Sequence, residues 1–115
     1  MAKFRFVEWL LLWLKESTHF EFEWDEGNRT KNSAKHAVTT TETEEVFLVN
    51  QAAPLVVQVS PAVPEERLGI VGPTSSGRLL QVVFTMREGK ARPISSRPAN
   101  KKEREFYEEY LLREI

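Results

Sequence analysis

The sequence contains no cysteine and only two histidines, His19 and His36. The absence of cysteine excludes a disulfide framework, a thiol nucleophile and a cysteine-ligated zinc or iron–sulfur site, and it is compatible with a cytoplasmic protein. The two histidines lie far apart, and no cluster of His, Asp and Glu has the spacing of metal ligands. We therefore expect neither a bound metal nor a cofactor.

Long hydrophobic runs are also missing. The most apolar stretch, Trp9 to Leu14, is far shorter than the roughly 20 residues of a membrane-spanning helix, so we expect no stable membrane insertion. As a helix, the segment from Phe4 to Leu14 would be apolar around most of its circumference. Its own domain, a second copy in a homo-oligomer or a membrane interface would have to cover it. We interpret residues 1–18 as an N-terminal hydrophobic helix extension and residues 19–115 as one domain.

The chain lacks a strong net charge. Its formal charge is −1, which gives the whole molecule no attraction to nucleic acid or to acidic membranes. The charges are unevenly distributed, however, because the segment from Arg78 to Arg104 holds eight Lys and Arg against two acidic residues, a local balance of +6. One side of the protein is therefore predicted to be basic.

Capping side chains mark where the helices begin. Asp25 would cap a short polar helix that ends near His36, and Thr39 with Glu42 has the Thr-x-x-Glu spacing of a capping box for a second helix. Ala37 lies between them, at a position where a glycine with positive φ would normally close the first helix. An alanine in that conformation costs roughly 1 kcal/mol relative to glycine.

The remaining pattern predicts strands and one final helix. Residues 18–24 alternate strictly between aromatic and polar side chains, as a half-buried strand does. Pro93 cannot donate a hydrogen bond to a neighbouring strand, so its strand lies at an edge or carries a bulge. Glu88-Gly89 predicts a tight turn. Further strands are predicted at 55–59, 66–72, 78–87 and 91–97, and the strand at 78–87 is expected to be central in the sheet. A final helix, capped by Asn100 and Glu103, is predicted to bury Phe106, Tyr107, Tyr110 and Leu111. The fold class is α+β, with an antiparallel sheet packed by helices.

The segment from Phe84 to Asn100 combines this hairpin with arginines and hydroxyl groups. Because guanidinium groups bind phosphate oxygens two at a time, such a surface is typical of phosphate binding. A solvated outer sheet face would give the same charge pattern, and the sequence does not separate the two.

Seven short motifs occur in a fixed order along the chain. They are Phe22-Glu23-Trp24-Asp25-Glu26; Asn32 with Lys35-His36 and Val38; Val46-Phe47; Glu66-Arg67; Gly77-Arg78 with Leu80, Val82-Val83-Phe84-Thr85 and Arg87; Arg92-Pro93-Ile94-Ser95-Ser96-Arg97 with Ala99; and Glu103 with Tyr107. In this order they resemble the BrnT-type toxins of bacterial type II toxin–antitoxin systems. The sequence departs from the family pattern at Ala37, where the family usually has glycine, and in residues 59–64, which lack the family's Asp and His.

The resemblance implies a curved, RelE-like antiparallel sheet with helices against it, to which the N-terminal helix is an addition. It also implies a cytoplasmic ribonuclease, neutralised by a cognate BrnA-like antitoxin that carries the contact with operator DNA. RNA cleavage without metal needs a base for the 2′-hydroxyl, positive charge around the phosphorane and a proton donor for the leaving oxygen. The candidate catalytic residues are His36, Lys35, Arg67, Arg87 and Arg97, and the candidate RNA-binding residues are Arg78, Thr85, Arg92 and Ser95.

Each assignment has a structural alternative. His36 and Lys35 would complement the dipole at a helix C-terminus, and Arg87 and Arg97 would form salt bridges with Glu88 or Glu103. At the level of the whole protein, the alternatives are a toxin-fold module that binds an antitoxin or RNA without cutting, and a structural protein that oligomerises through its N-terminal helix.

Overall fold

The computed structural model describes residues 3–5, 12–14, 16–17, 19–28, 37–49, 51–54, 57–59 and 67–113. Six strands and two helices are assigned within these residues. In chain order they are β1 (Lys3–Arg5), α1 (Thr40–Leu48), β2 (Ala53–Pro54), β3 (Val57–Val59), β4 (Leu68–Pro73), β5 (Leu79–Arg87), β6 (Lys90–Pro98) and α2 (Lys101–Arg113). This is an α+β architecture, as the sequence predicts.

Four of the strands form one antiparallel sheet in the order β2-β4-β5-β6, and β1 pairs with β3 in a separate two-stranded sheet. The predicted central strand, β5, lies between β4 and β6. The turn between β5 and β6 is the predicted Glu88-Gly89 pair, whose φ angles of 52° and 80° are both positive. Two-residue hairpin turns of this kind match the right-handed twist of the strands that they join.

Pro93 has both of the consequences predicted for it. β6 is one of the two edge strands of the four-stranded sheet, and its pairing with β5 contains a bulge. Val83 pairs with Ser95 but Phe84 pairs with Pro93, so Ile94 is an extra residue on β6. A bulge reverses the faces on which the residues beyond it point.

The two helices cover opposite faces of this sheet. Helix α1 packs on the face that carries Leu80, Val82 and Phe84, and its Phe47 ring centroid lies 5.1 Å from that of Phe84. Helix α2 packs through Tyr107 on the other face, against Val71. We call these surfaces the α1 face and the α2 face. Alternate residues of each strand point to alternate faces, so strand register decides which side chains share a surface.

Both predicted capping boxes are present. The Thr39 hydroxyl accepts a hydrogen bond from the Glu42 N–H while the Glu42 carboxylate accepts one from the Thr39 N–H, at 3.0 and 3.1 Å. Asn100 and Glu103 make the same reciprocal pair at 2.9 Å each. Reciprocal bonds satisfy backbone donors that a helix leaves unpaired at its start, which fixes where α1 and α2 begin.

The predicted buried stripe of α2 is correct for three of its four residues. Tyr107 is buried, and Phe106 and Tyr110 pack against the same cluster. Leu111 is 41% exposed, so its place in the buried stripe is wrong. It lies in the last turns of the helix, beyond the residues that pack against the sheet.

The N-terminal segment is only partly the predicted helix. Residues 3–5 form strand β1, and helical conformation is found at residues 12–14 and 16. Leu14 is buried and Trp13 packs on the same core, with its ring centroid 5.0 Å from that of Phe20. Trp13 and Leu14 therefore pack on their own domain, which is one of the three environments considered for this apolar segment. In the described part of the chain, no helix combines the length and the apolar character needed to cross a membrane.

The alternation of residues 18–24 is reflected in their packing. Phe20 and Phe22 contact the core of the α1 face, whereas His19 and Glu21 are exposed. Within the described residues, this segment pairs through one parallel bridge, between Phe22 and Ala91. After Asp25 the chain turns at residues 26–28, and residues 29–36, where the short helix is predicted, lie outside the described residues.

Candidate functional site

Arg87, Thr85, Arg92 and Ser95 share the α2 face. Thr85 and Arg87 are alternate residues of β5, and Arg92 pairs directly with Thr85 across to β6. Arg92 and Ser95 are three residues apart, a spacing that places side chains on opposite faces of a regular strand. The bulge at Ile94 adds the residue that returns Ser95 to the face of Arg92. The bulge that accommodates Pro93 therefore also assembles this surface.

The Thr85 hydroxyl lies in the middle of this group. Its oxygen is buried and has no hydrogen-bond partner among the described residues, a property that it shares with the Ser96 hydroxyl on the α1 face. An unsatisfied buried hydroxyl costs about 1–3 kcal/mol. The Thr85 hydroxyl is consequently an unused hydrogen-bonding group between cationic side chains.

Arg67 extends the group on the side of β4. Leu68 pairs with Phe84, so continuing this antiparallel register by one residue places Arg67 level with Thr85. Arg67 is half-buried. Since neighbouring strands lie about 4.8 Å apart, the Cα atoms of Arg67 and Arg92 are about 10 Å from one another across β5. We refer to Arg67, Arg87 and Arg92 as the arginine cluster.

Arg92 is held by two carboxylates. Its Nη1 donates to Asp25 Oδ2 at 2.7 Å and lies 3.5 Å from Glu23 Oε1. The hydrogen bond from Arg92 lowers the pKa of Asp25 below its ordinary value. The side chain of Arg92 is only 17% exposed, so this arginine is fixed in position. The side chain of Arg87 is 45% exposed and lies 3.7 Å from the same Glu23 oxygen.

The segment that supplies these carboxylates is fixed to the free edge of β6. The Glu23 N–H donates to the Ala91 carbonyl and the Ala91 N–H donates to the Glu21 carbonyl, each at 2.9 Å. The Asn28 side chain donates to the carbonyl of Pro93 at 2.9 Å. Because residues alternate along the segment, Glu23 points to the α2 face, whereas Trp24 donates to Glu44 of α1 at 2.7 Å.

Arg97 lies on the same face but at some distance from the cluster. It pairs with Gln81, four residues along β5 from Thr85, which corresponds to about 13 Å. Both of its terminal nitrogens donate to the carboxylate of Glu103 at 2.8 Å. The salt bridge considered as its structural alternative is therefore present, and it connects β6 to the first turn of α2.

Arg78 is on the other side of the sheet. It precedes Leu79 at the start of β5, and its Nη1 donates to the Ala37 carbonyl at 2.9 Å and to Glu42 at 3.1 Å. Thus Arg78 binds Glu42 of α1 and Ala37, two residues before the N-cap Thr39, far from the cluster. The predicted positive φ of Ala37 is confirmed at 53°. Lys35 and His36 lie outside the described residues.

Glu23 and Asp25 contact the site but are not among the site residues that the sequence predicts. The alternation of residues 18–24 shows that Glu23 is on the polar side, but the partner strand is not visible in a local pattern. Among the described residues, no group of three or more His, Asp or Glu side chains is arranged to hold a metal ion. The chemistry available at this surface is thus that of guanidinium groups, hydroxyls and carboxylates.

The chain was compared with curated proteins and with models of protein families. No curated protein matches the chain significantly. A family model described as "Ribonuclease toxin, BrnT, of type II toxin-antitoxin system" matches residues 24–103, which is 80 of the 115 residues and includes α1, β2 to β6 and the start of α2. The chain therefore belongs to the BrnT family of ribonuclease toxins of type II toxin–antitoxin systems.

Proposed function

We propose that this protein is a metal-independent RNA endonuclease that acts on cytoplasmic RNA and is neutralised by a BrnA-like antitoxin, which carries the contact with operator DNA. We further propose that its sheet and helices correspond to a RelE-like fold. Membership of a ribonuclease toxin family supports the activity, and a type II system implies an antitoxin partner. The arginine cluster on the α2 face supports the position of the site.

The observation that carries the proposal is the convergence of Arg87 and Arg92 on one carboxylate oxygen. Two guanidinium groups approach Glu23 Oε1 from neighbouring strands, at 3.7 and 3.5 Å. A site that already brings two cations to one oxygen has the geometry to bring them to two oxygens of a phosphate. Ser95, which is partly exposed on the same face, would donate a hydrogen bond to a neighbouring phosphate or ribose oxygen, whereas the Thr85 hydroxyl is buried.

The proposed roles follow from the position of each arginine relative to the cluster and from the ion pairs of Arg92 and Arg97. Arg87 and Arg67 supply positive charge to the scissile phosphate, and Arg92, held by Asp25, fixes the position of the phosphate. Arg97 is engaged by Glu103 on both of its terminal nitrogens, so we assign it a structural role that connects α2 to the sheet. His36 and Lys35 keep the proton-transfer and phosphate-binding roles that the family resemblance implies.

The test is cleavage by the purified chain in EDTA. The substrates are an RNA oligonucleotide and its 2′-deoxy counterpart, with products resolved by length and by end group. We expect the RNA to be cut to a 2′,3′-cyclic phosphate and a 5′-hydroxyl, the DNA to remain intact, and His36→Ala to lose activity. Intact RNA with folded protein at micromolar concentration would contradict the proposal, and a requirement for divalent metal would contradict its metal independence.

A second candidate is a binding module that does not cut. Glu23 and Asp25 already neutralise Arg87 and Arg92, and Ala37 replaces a glycine of the family pattern. Strongly salt-dependent RNA binding without cleavage would favour this alternative. In cells, growth arrest that is relieved by co-expression of the antitoxin favours the toxin, whereas normal growth in both cases favours the binding module.

A further inference from the structure

Glu23 occupies an unusual place in the arginine cluster. Its carboxylate is 36% exposed and lies between Arg87 and Arg92 on the α2 face. In both ion pairs the closest approach is to Oε1, so Oε2 is the less engaged of the two oxygens in the contacts among the described residues. Asp25, by contrast, receives a hydrogen bond from Arg92 at 2.7 Å and a second from the Gly27 N–H at 2.8 Å.

The position of Glu23 is set by the backbone as well as by its ion pairs. Its N–H donates to the Ala91 carbonyl, and its own carbonyl accepts from the buried side chain of Asn28 at 3.1 Å. Ala91 directly precedes Arg92 on β6. The backbone of Glu23 is therefore fixed beside Arg92, which places its carboxylate next to the guanidinium groups that would bind a phosphodiester.

We propose that Glu23 is the general base of the ribonuclease reaction, with Oε2 accepting the proton of the 2′-hydroxyl; this assignment rests on the function proposed above. The 2′-oxygen forms a bond to phosphorus as its O–H bond breaks, and the proton goes to Glu23. The bond from phosphorus to the 5′-oxygen then breaks, and a proton from a donor, for which His36 is the candidate, completes the 5′-hydroxyl. The products are a 2′,3′-cyclic phosphate and a 5′-hydroxyl end.

The shared arginines couple this proton transfer to the charge that develops on the phosphate. While Glu23 is ionised, it attracts Arg87 and Arg92. Once it has accepted the proton, its negative charge is gone, and both guanidinium groups interact with the phosphorane at the moment when negative charge accumulates there. Electrostatic stabilisation that is stronger in the transition state than in the bound substrate is what accelerates a reaction.

The test compares Glu23→Gln with two controls of equal charge change. Glu21→Gln alters an exposed residue of the same segment outside the cluster, and Asp25→Asn loosens Arg92 without removing Glu23. Single-turnover cleavage of RNA is measured in EDTA together with the affinity for the uncleavable 2′-deoxy oligonucleotide, and circular dichroism verifies that each variant is folded.

For Glu23→Gln we expect cleavage to fall by about 10²- to 10⁴-fold, the usual contribution of a general base, while the affinity for the 2′-deoxy oligonucleotide is unchanged or higher. Glu21→Gln should cleave at the wild-type rate. An active Glu23→Gln, or a loss of cleavage and affinity that Asp25→Asn reproduces in full, would overturn the assignment alone. A folded wild-type chain that leaves RNA intact would overturn the proposed function and this assignment with it.

Discussion

The salt bridge between Arg97 and Glu103 should be a main connection between α2 and the sheet, and its contribution can be calculated from the structure. Two charge-assisted hydrogen bonds of 2.8 Å join the side chains, and Glu103 is only 12% exposed. Each such bond is worth about 1.5–3 kcal/mol when buried. Because Arg97 is 33% exposed, screening reduces this, and we expect Arg97→Ala to lower the free energy of unfolding by about 2 kcal/mol in total.

Glu103→Ala should cost more than Arg97→Ala. The same carboxylate also accepts the Asn100 N–H in the capping box, which adds about 1 kcal/mol and gives a total of about 3 kcal/mol. In the double variant the two losses should not add, since they share one interaction, and the coupling free energy should be about 1–2 kcal/mol. Urea unfolding followed by tryptophan fluorescence measures all three variants.

Arg104→Ala is the matched control for this cycle. Arg104 is exposed in the same first turns of α2, so its removal should change the free energy of unfolding by less than about 0.5 kcal/mol. A coupling free energy below about 0.3 kcal/mol between Arg97 and Glu103 would refute the reasoning. It would also weaken the structural role of Arg97 and reopen a direct role in catalysis.

Three further predictions concern local backbone and titration. Ala37→Gly relieves a φ of 53° and should raise the free energy of unfolding by about 1 kcal/mol in urea titrations; an unchanged or lower value would contradict the strain argument. The hydrogen bond from the Thr39 N–H lowers the pKa of Glu42 from its ordinary 4.5. The ionised Glu42 carboxylate therefore stabilises the folded state fully above pH 4.5, and this stabilisation is lost as pH falls through the lowered pKa. Glu42→Gln should flatten the acid limb of the stability curve, and an unaltered limb would count against it. Burial raises the pKa of Tyr107 above its ordinary 10.0, so stability should fall once pH rises past that value, and Tyr107→Phe, measured by alkaline unfolding, should remove this fall.

Much of the fold could be predicted because its signals are local. Both capping boxes, the Glu88-Gly89 turn and the positive φ of Ala37 depend on residues within three or four positions of one another. Pro93 predicted an edge strand or a bulge because a missing N–H affects any sheet in which it is placed. The structure contains both.

Which residues form the site was harder to predict from the sequence, because the site depends on pairing between distant segments. The parallel bridge between Phe22 and Ala91 brings Glu23 and Asp25 to Arg92, 69 and 67 residues further along the chain. No periodicity in residues 18–28 indicates that partner. Likewise, Arg78 lies on the α1 face because of the alternation of side chains along β5. Since β5 carries apolar residues on both faces, its sequence does not show which residues point to which face.

Cleavage by Arg87→Ala tests the central claim most directly, namely that the arginine cluster on the α2 face binds the scissile phosphate. Arg87 is exposed at the end of β5, and Arg113→Ala removes the same charge from the exposed last turn of α2. In EDTA, we expect Arg87→Ala to cleave RNA at least about 100-fold more slowly than the wild type, the scale of loss when one group that stabilises the transition state is removed. Arg113→Ala should match the wild type. Equal cleavage by the two variants would contradict the account.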